Sequence, residues 1–139
     1  MSQASPISPE AALIYAMVLI SASDSQMSDE ELIVMGDIVK TLPVFKNFDN
    51  NNLVSVAQTC GEIMSEDEGL STVLKLIADT LPENLRETAY AVAVEVAVAD
   101  GTLRQEELRV LELLRHQLPV DRLEAAAIER GAKARYQTI

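Results

Sequence analysis

The sequence predicts an all-α protein, a bundle of about seven helices with a pseudo-two-fold internal repeat. Three observations lead to it. Apolar residues recur at helical spacing along most of the 139 residues. Prolines and Ser or Asp caps divide that pattern into short segments. A late stretch also repeats an early one. The length suits one domain, 1–139, with a single sizeable core.

Residues 1–8 are expected to be flexible up to Ser8, the first N-cap, which precedes Pro9 at the first helical position and Glu10 in the first turn. The first helix then runs to about 22. Ser28 opens the second, and Glu31 three residues on completes a capping box. Leu32, Met35, Ile38, Val39 and Leu42 form its apolar stripe, and Pro43 ends it. Asp49 caps a third helix with Leu53, Val56, Ala57, Cys60, Ile63 and Met64 on one face. Ser65 and Glu68 are expected to form a second capping box before a fourth helix that runs to about Thr80. Pro82 starts the fifth, which reaches Ala99. The sixth spans about 104–117, with Leu108, Leu111, Leu114 and Leu118 inward and Pro119 as its stop. The seventh runs from about 120 to 135.

"AYAVAVEVAVA" alternates like a strand, but it is long, alanine-rich and preceded by proline and acid, as a helix start is. It and "AALIYAMVLISA" are apolar nearly all round, which marks buried helices. These two are the expected central pair, wrapped by amphipathic ones. Neither apolar run, 11–22 or 89–99, has the roughly 20 residues that span a bilayer, so no direct membrane insertion is expected. "MSQASPISPE" has no basic region followed by a long apolar one, so no signal peptide is expected.

Shifted by 76 positions (100 − 24 = 76), Asp100 falls on Asp24, Glu106 on Glu30 and Glu107 on Glu31. Leu108 falls on Leu32, Val110 on Val34, Leu118 on Leu42 and Pro119 on Pro43. Each copy, about 9–43 and 85–119, reads as an apolar helix, an acid-bearing loop, two glutamates and an amphipathic helix ended by Leu-Pro. Packing accounts for the leucines and prolines. It does not call for the carboxylates.

Charge and composition exclude several functions. With 22 acidic residues against 11 basic ones, the net charge is −11, contrary to what phosphate backbones or anionic membrane surfaces require. One cysteine, Cys60, builds neither a disulfide nor a thiolate cage, and its place on an apolar stripe reads as core. His116, the sole histidine, lies near the end of the sixth helix, where a cation suits the helix dipole. Phosphate loops, dinucleotide fingerprints and His-Glu-x-x-His are missing. No enzyme is expected.

Two readings of the repeated acids remain. In the first they are local chemistry: Asp100 a turn residue before Gly101, Glu31 part of a capping box, and Glu106 and Glu107 first-turn acids complementing the dipole. In the second, a loop Asp, free loop carbonyls and a Glu seven residues later converge on a hard cation, calcium or magnesium first. The spacing is not that of an EF-hand, so each half supplies few ligands, and a shared or water-completed site is expected. The acids "SEDEG" at 65–69 read as a capped helix start on a solvated face. Glu95, the one charge between Glu87 and Asp100, either reaches the surface, pairs with a base, or is partly buried.

The pattern "VAVADGTLRQEELRVLELL", repeated more weakly as "LISASDSQMSDEELIVMGDIV", resembles the TerB family of tellurite-resistance proteins over about 10–132. Its most specific piece is A-D-G followed by E-E-L, and the first copy has Ser25 in place of the glycine. The resemblance implies a seven-helix bundle with a two-fold repeat. It also implies a cytoplasmic, non-catalytic role in tellurite and chemical-stress resistance, with metal bound through acidic loops. The residues it marks are Asp24 and Glu31 in the first copy, and Asp100 and Glu107 in the second. A related domain also appears at the N-terminal side of a membrane-anchored J-domain co-chaperone. The alternative function is therefore an interaction module whose acidic face docks a basic or membrane-associated protein partner without metal.

Overall fold

The computed structural model describes residues 7–22, 28–99 and 103–139. Its seven α-helices are α1 (Pro9–Ser21), α2 (Asp29–Thr41), α3 (Leu53–Met64), α4 (Gly69–Thr80), α5 (Arg86–Ala97), α6 (Gln105–Gln117) and α7 (Arg122–Arg135), and the described residues contain no strand. Ser8 caps α1 by accepting from the Ala11 N–H at 3.1 Å. Ile7 packs partly buried against the core, and residues 1–6 of the expected flexible start lie outside the described ones.

The central pair is as the apolar runs predict. Every residue of α1 from Ala11 to Ser21 is buried. Its most extensive packing is on α5, and α3, α4 and α6 cover the rest of it. On α5, Ala89, Tyr90, Val92, Ala93, Val94, Val96 and Ala97 are all buried. With little polar surface of its own, each of these helices needs apolar neighbours on every side.

The repeat is visible in the helix limits. Moved on by 76 positions, Asp29–Thr41 becomes 105–117, the span of α6 (29 + 76 = 105, 41 + 76 = 117). The backbone bond that closes each first turn also repeats, Leu32 N–H to Ser28 O and Leu108 N–H to Arg104 O.

Several expectations are corrected. Leu32 and Leu108, assigned to inward stripes, are each 48% exposed. They follow the buried glutamates by one position, about 100° round the helix, and so turn away from the core. Short 3-10 turns (Asn50–Asn52 and Glu83–Leu85) precede α3 and α5, so Asp49 caps a turn (Asn51 N–H, 2.9 Å) and α3 begins at Leu53. The expected box of Ser65 and Glu68 does not form. Ser65 Oγ donates to Glu62 O instead, and Glu68 enters α4 with a left-handed φ of 56° and no side-chain cap. A close crossing takes the place of the cap. A β-carbon on Gly69 would stand 2.2 Å from Ile63 O and 2.6 Å from Met64 O, so only glycine lets α4 leave α3 this tightly.

Candidate metal centre

Glu31 and Glu107 begin as local structure. Each is the third residue of its helix, following an N-cap residue with extended backbone, Ser28 or Arg104. In the first copy the Ser28 N–H donates to Glu31 Oε1 at 2.9 Å, and the Glu31 N–H donates to Ser28 Oγ at 3.1 Å, the predicted capping box. In the second copy the Arg104 N–H donates to Glu107 Oε1 at 3.0 Å. A guanidinium has no acceptor to return the bond, so this half keeps one side of the box.

Burial separates these two glutamates from ordinary caps. Glu31 is 2% exposed and Glu107 1%, and they are the buried acidic residues of the described chain. Their first-turn neighbours Asp29, Glu30 and Glu106 are exposed, as a carboxylate near a helix N-terminus ordinarily is. A carboxylate withdrawn from water costs several kcal/mol unless cations or hydrogen bonds compensate it. The sequence shows both glutamates but not their depth, which depends on how far α2 and α6 tilt into the central pair.

The other two predicted ligands, Asp24 and Asp100, lie outside the described residues. Among the described residues no three His, Cys, Asp or Glu side chains come together as metal ligands. The donor set does suit a hard cation, since it is all carboxylate. A site here would join each buried glutamate to its own loop.

Glu95 resolves as a paired carboxylate. It forms an ion pair with Arg135 and accepts from the Tyr136 hydroxyl at 3.3 Å. Further back on α5, the Tyr90 hydroxyl donates to Glu129 at 2.5 Å. These contacts tie α7 along α5. Burial, then the hydrogen bond to Glu129, pushes the Tyr90 phenol well above its ordinary 10.0. Burial, then the charge of Glu95, raises Tyr136. The sequence hid these pairs because their partners lie about 40 positions apart. The signals were Glu95, the lone charge whose pairing with a base was one expectation, and the polar tip of Tyr90 on an apolar helix; neither named its partner. Cys60 is fully buried, its thiol pushed up to about 12 by burial, which makes it inert core as expected. His116 is exposed at the end of α6, with Nε2 3.3 Å from an Arg115 nitrogen.

A duplicated helical hairpin around two buried central helices, with an inward glutamate opening the second helix of each copy, defines an all-α class built by internal repetition. The model for the family described as tellurite resistance protein TerB matches residues 10–130, which is 121 of the 139 (130 − 10 + 1), and the chain belongs to that family. Comparison with curated proteins and with solved structures returned no match.

Proposed function

We propose that this chain is a non-catalytic, cytoplasmic stress-response protein of the tellurite-resistance type. In this reading it binds a divalent cation, calcium or magnesium first, through Asp24 and Glu31 in one half and Asp100 and Glu107 in the other. One observation carries the proposal: both glutamates are buried, at equivalent positions of the repeat, each seven residues after an Asp in the sequence (31 − 24 = 107 − 100 = 7). A capping contact uses one carboxylate oxygen and needs no burial. A hard cation would compensate the buried charge and tie each loop to the helix that follows it. Titration of chelator-stripped protein with calcium and magnesium tests the reading, beside the Glu31→Gln/Glu107→Gln double variant. Saturable binding lost in the variant supports it. Equal binding by the variant overturns it.

A second reading rests on a different observation. The first turn of α2 presents Asp29 and Glu30 to solvent on a protein of net charge −11, a surface suited to a basic or membrane-associated protein partner without metal. No helix of the described residues is long and apolar enough to cross a membrane, so membrane association in this reading runs through the partner.

A further inference from the structure

The repeat lacks one helix. In the first half α3 packs on α1, and α4 packs on α1, α3 and α6. In the second half α7 packs on α5 as α3 does on α1, and α2 packs on α5 as α6 does on α1. No described helix there takes the part of α4. Its place lies along α5 and α7, on the side of α2. A groove of about 190 Å³ marks it, between Ala91 and Glu95 of α5 and Ala127, Ile128, Gly131 and Arg135 of α7. Asp37 of α2 is close enough to act on the Tyr136 phenol, which bonds Glu95, so α2 borders the Glu95 end. Burial follows the same asymmetry. Moved back by 76 positions, Ala91 and Glu95 become Tyr15 and Leu19 (91 − 76 = 15, 95 − 76 = 19). Those two are 2% and 0% exposed, whereas Ala91 and Glu95 are only partly buried. Helix α1 is covered along this stripe, and α5 is left partly open.

Charge selects what lies on this face. Helix α7 has four bases, Arg122, Arg130, Lys133 and Arg135, against two acids, Glu124 and Glu129. It is the one α-helix of the described residues with more bases than acids. Helix α2 is the most acidic, with four acids, Asp29, Glu30, Glu31 and Asp37, against Lys40. Arg122 and Asp37 hold no ion pair with a described residue. The groove side of α7 is also apolar. Leu123, Ala127 and Gly131 follow one another at four-residue spacing and so share one side of the helix, and Leu123 is 77% exposed. A second copy therefore brings the chain's one basic helix, with an apolar side, to an apolar groove bounded by the most acidic helix.

We propose that two copies of this chain associate through this face, with α7 of each resting along the groove of the other, where the repeat leaves the place of a helix open. About a two-fold axis the two α7 helices cross antiparallel near Ala127 and Gly131. Arg122 and Leu123 of each copy then reach the Arg135 end of the other's groove, and Arg122 meets Asp37. The axis makes every contact twice, as an isologous interface requires. From Leu123 to Arg135 the helix is about 18 Å long, at 1.5 Å per residue. The interface is a small one, and dissociation in the micromolar range is expected. It is separate from the cation reading and uses none of its residues.

The test is sedimentation equilibrium of the full chain, in excess chelator, from about 1 µM to about 1 mM. A monomer–dimer equilibrium is expected. Two variants probe the interface while sparing the single copy. A β-carbon on Gly131 meets nothing within 4 Å, so Gly131→Gln suits one copy and fills the groove that the second copy needs. Leu123→Gln removes an exposed apolar side chain. Circular dichroism checks that both stay helical. Each is expected to weaken the dimer about tenfold or more, the scale of losing one apolar contact on each side of the axis. Arg122→Asp is expected to weaken it likewise, and adding Asp37→Arg in the same chain to restore it. A parent that stays monomeric to the top of the range overturns the proposal. So does a dimer unmoved by both Gly131→Gln and Leu123→Gln, or one that the double charge exchange leaves as weak as Arg122→Asp alone. Because chelator is present throughout, none of these results depends on the cation site.

Discussion

Glu31 and Glu107 carry two roles that a single atom exchange separates. In Glu31→Gln the amide oxygen still accepts the Ser28 N–H, so the cap survives while the charge is lost. Glutamine has the same shape and keeps the acceptor that the cap uses, so the exchange removes the charge alone. Without added cation, the single glutamine variants are therefore expected to melt within about 3 °C of the parent, corresponding to roughly 1 kcal/mol. Stabilisation by calcium or magnesium is expected to disappear. Thermal melts with and without cation check both parts, and a variant that loses stability but keeps its cation response would assign the glutamates to capping alone. Gly69 makes a different demand. An alanine there meets the Ile63 and Met64 carbonyls, which belong to helix backbone and do not swing aside. Gly69→Ala is expected to cost roughly 1–3 kcal/mol or more, the range for overpacking, measured by urea denaturation. A neutral result would mean that the α3–α4 crossing opens easily.

At the scale of elements, the starts of α2 and α6 show how much local chemistry the sequence discloses. Ser28, Glu31 and Pro43 set the limits of α2 plainly. Ser28→Ala removes the acceptor of the Glu31 N–H and is expected to cost about 1 kcal/mol. The measurement is again a urea midpoint, and a loss well below this value would mean that the backbone bond from Ser28 to Glu31 Oε1 suffices. The same reading failed at Ser65 and Glu68, where the residue types are right and the backbone is not. A left-handed residue before Gly69 and a crossing against α3 decide that turn, and both are tertiary facts. Leu32 and Leu108 failed for a related reason. They fit the apolar period, but a buried glutamate takes the inward position just before each. Helix α7 was legible as a helix and not as a partner of α5. Its buried residues are two alanines, Ala125 and Ala132, with Ile128 half-buried, so its polar contacts with Tyr90 and Glu95 share in holding it. Glu95→Ala is expected to increase amide exchange in α7 ahead of the other helices, because it removes both the Arg135 pair and the Tyr136 bond. Unchanged exchange in α7 would leave its packing to the alanines.

Across the whole molecule, the fold class, the central helices and the repeat follow from patterning that is dense along the chain. The candidate site was legible only in part. Residue type and spacing pointed to Glu31 and Glu107, yet their burial and the groove beside α5 arise from how helices settle on one another. Stability should also respond to alkali as a whole-molecule property. Burial raises Cys60 from 9.0 to about 12 and raises Tyr15, Tyr90 and Tyr136 above 10.0. The folded state therefore holds protons that the unfolded chain has released. The associated stability is intact below about pH 9 and is lost as pH climbs towards 12 and beyond. Urea midpoints measured between pH 8 and 11 (values set by the ordinary thiol and phenol range, roughly bracketing it) should fall at the upper end, and Cys60→Ala should flatten the first part of the decline.

The central claim is that the repeated acidic turns form cation sites. Its most direct measurement is calorimetric titration of chelator-stripped protein with calcium and then magnesium, with Asp24→Asn/Asp100→Asn alongside. The account predicts saturable binding by the parent that the double variant loses while remaining helical. No binding by the parent, or the same binding by the variant, would contradict it and leave the acids as caps and surface charge.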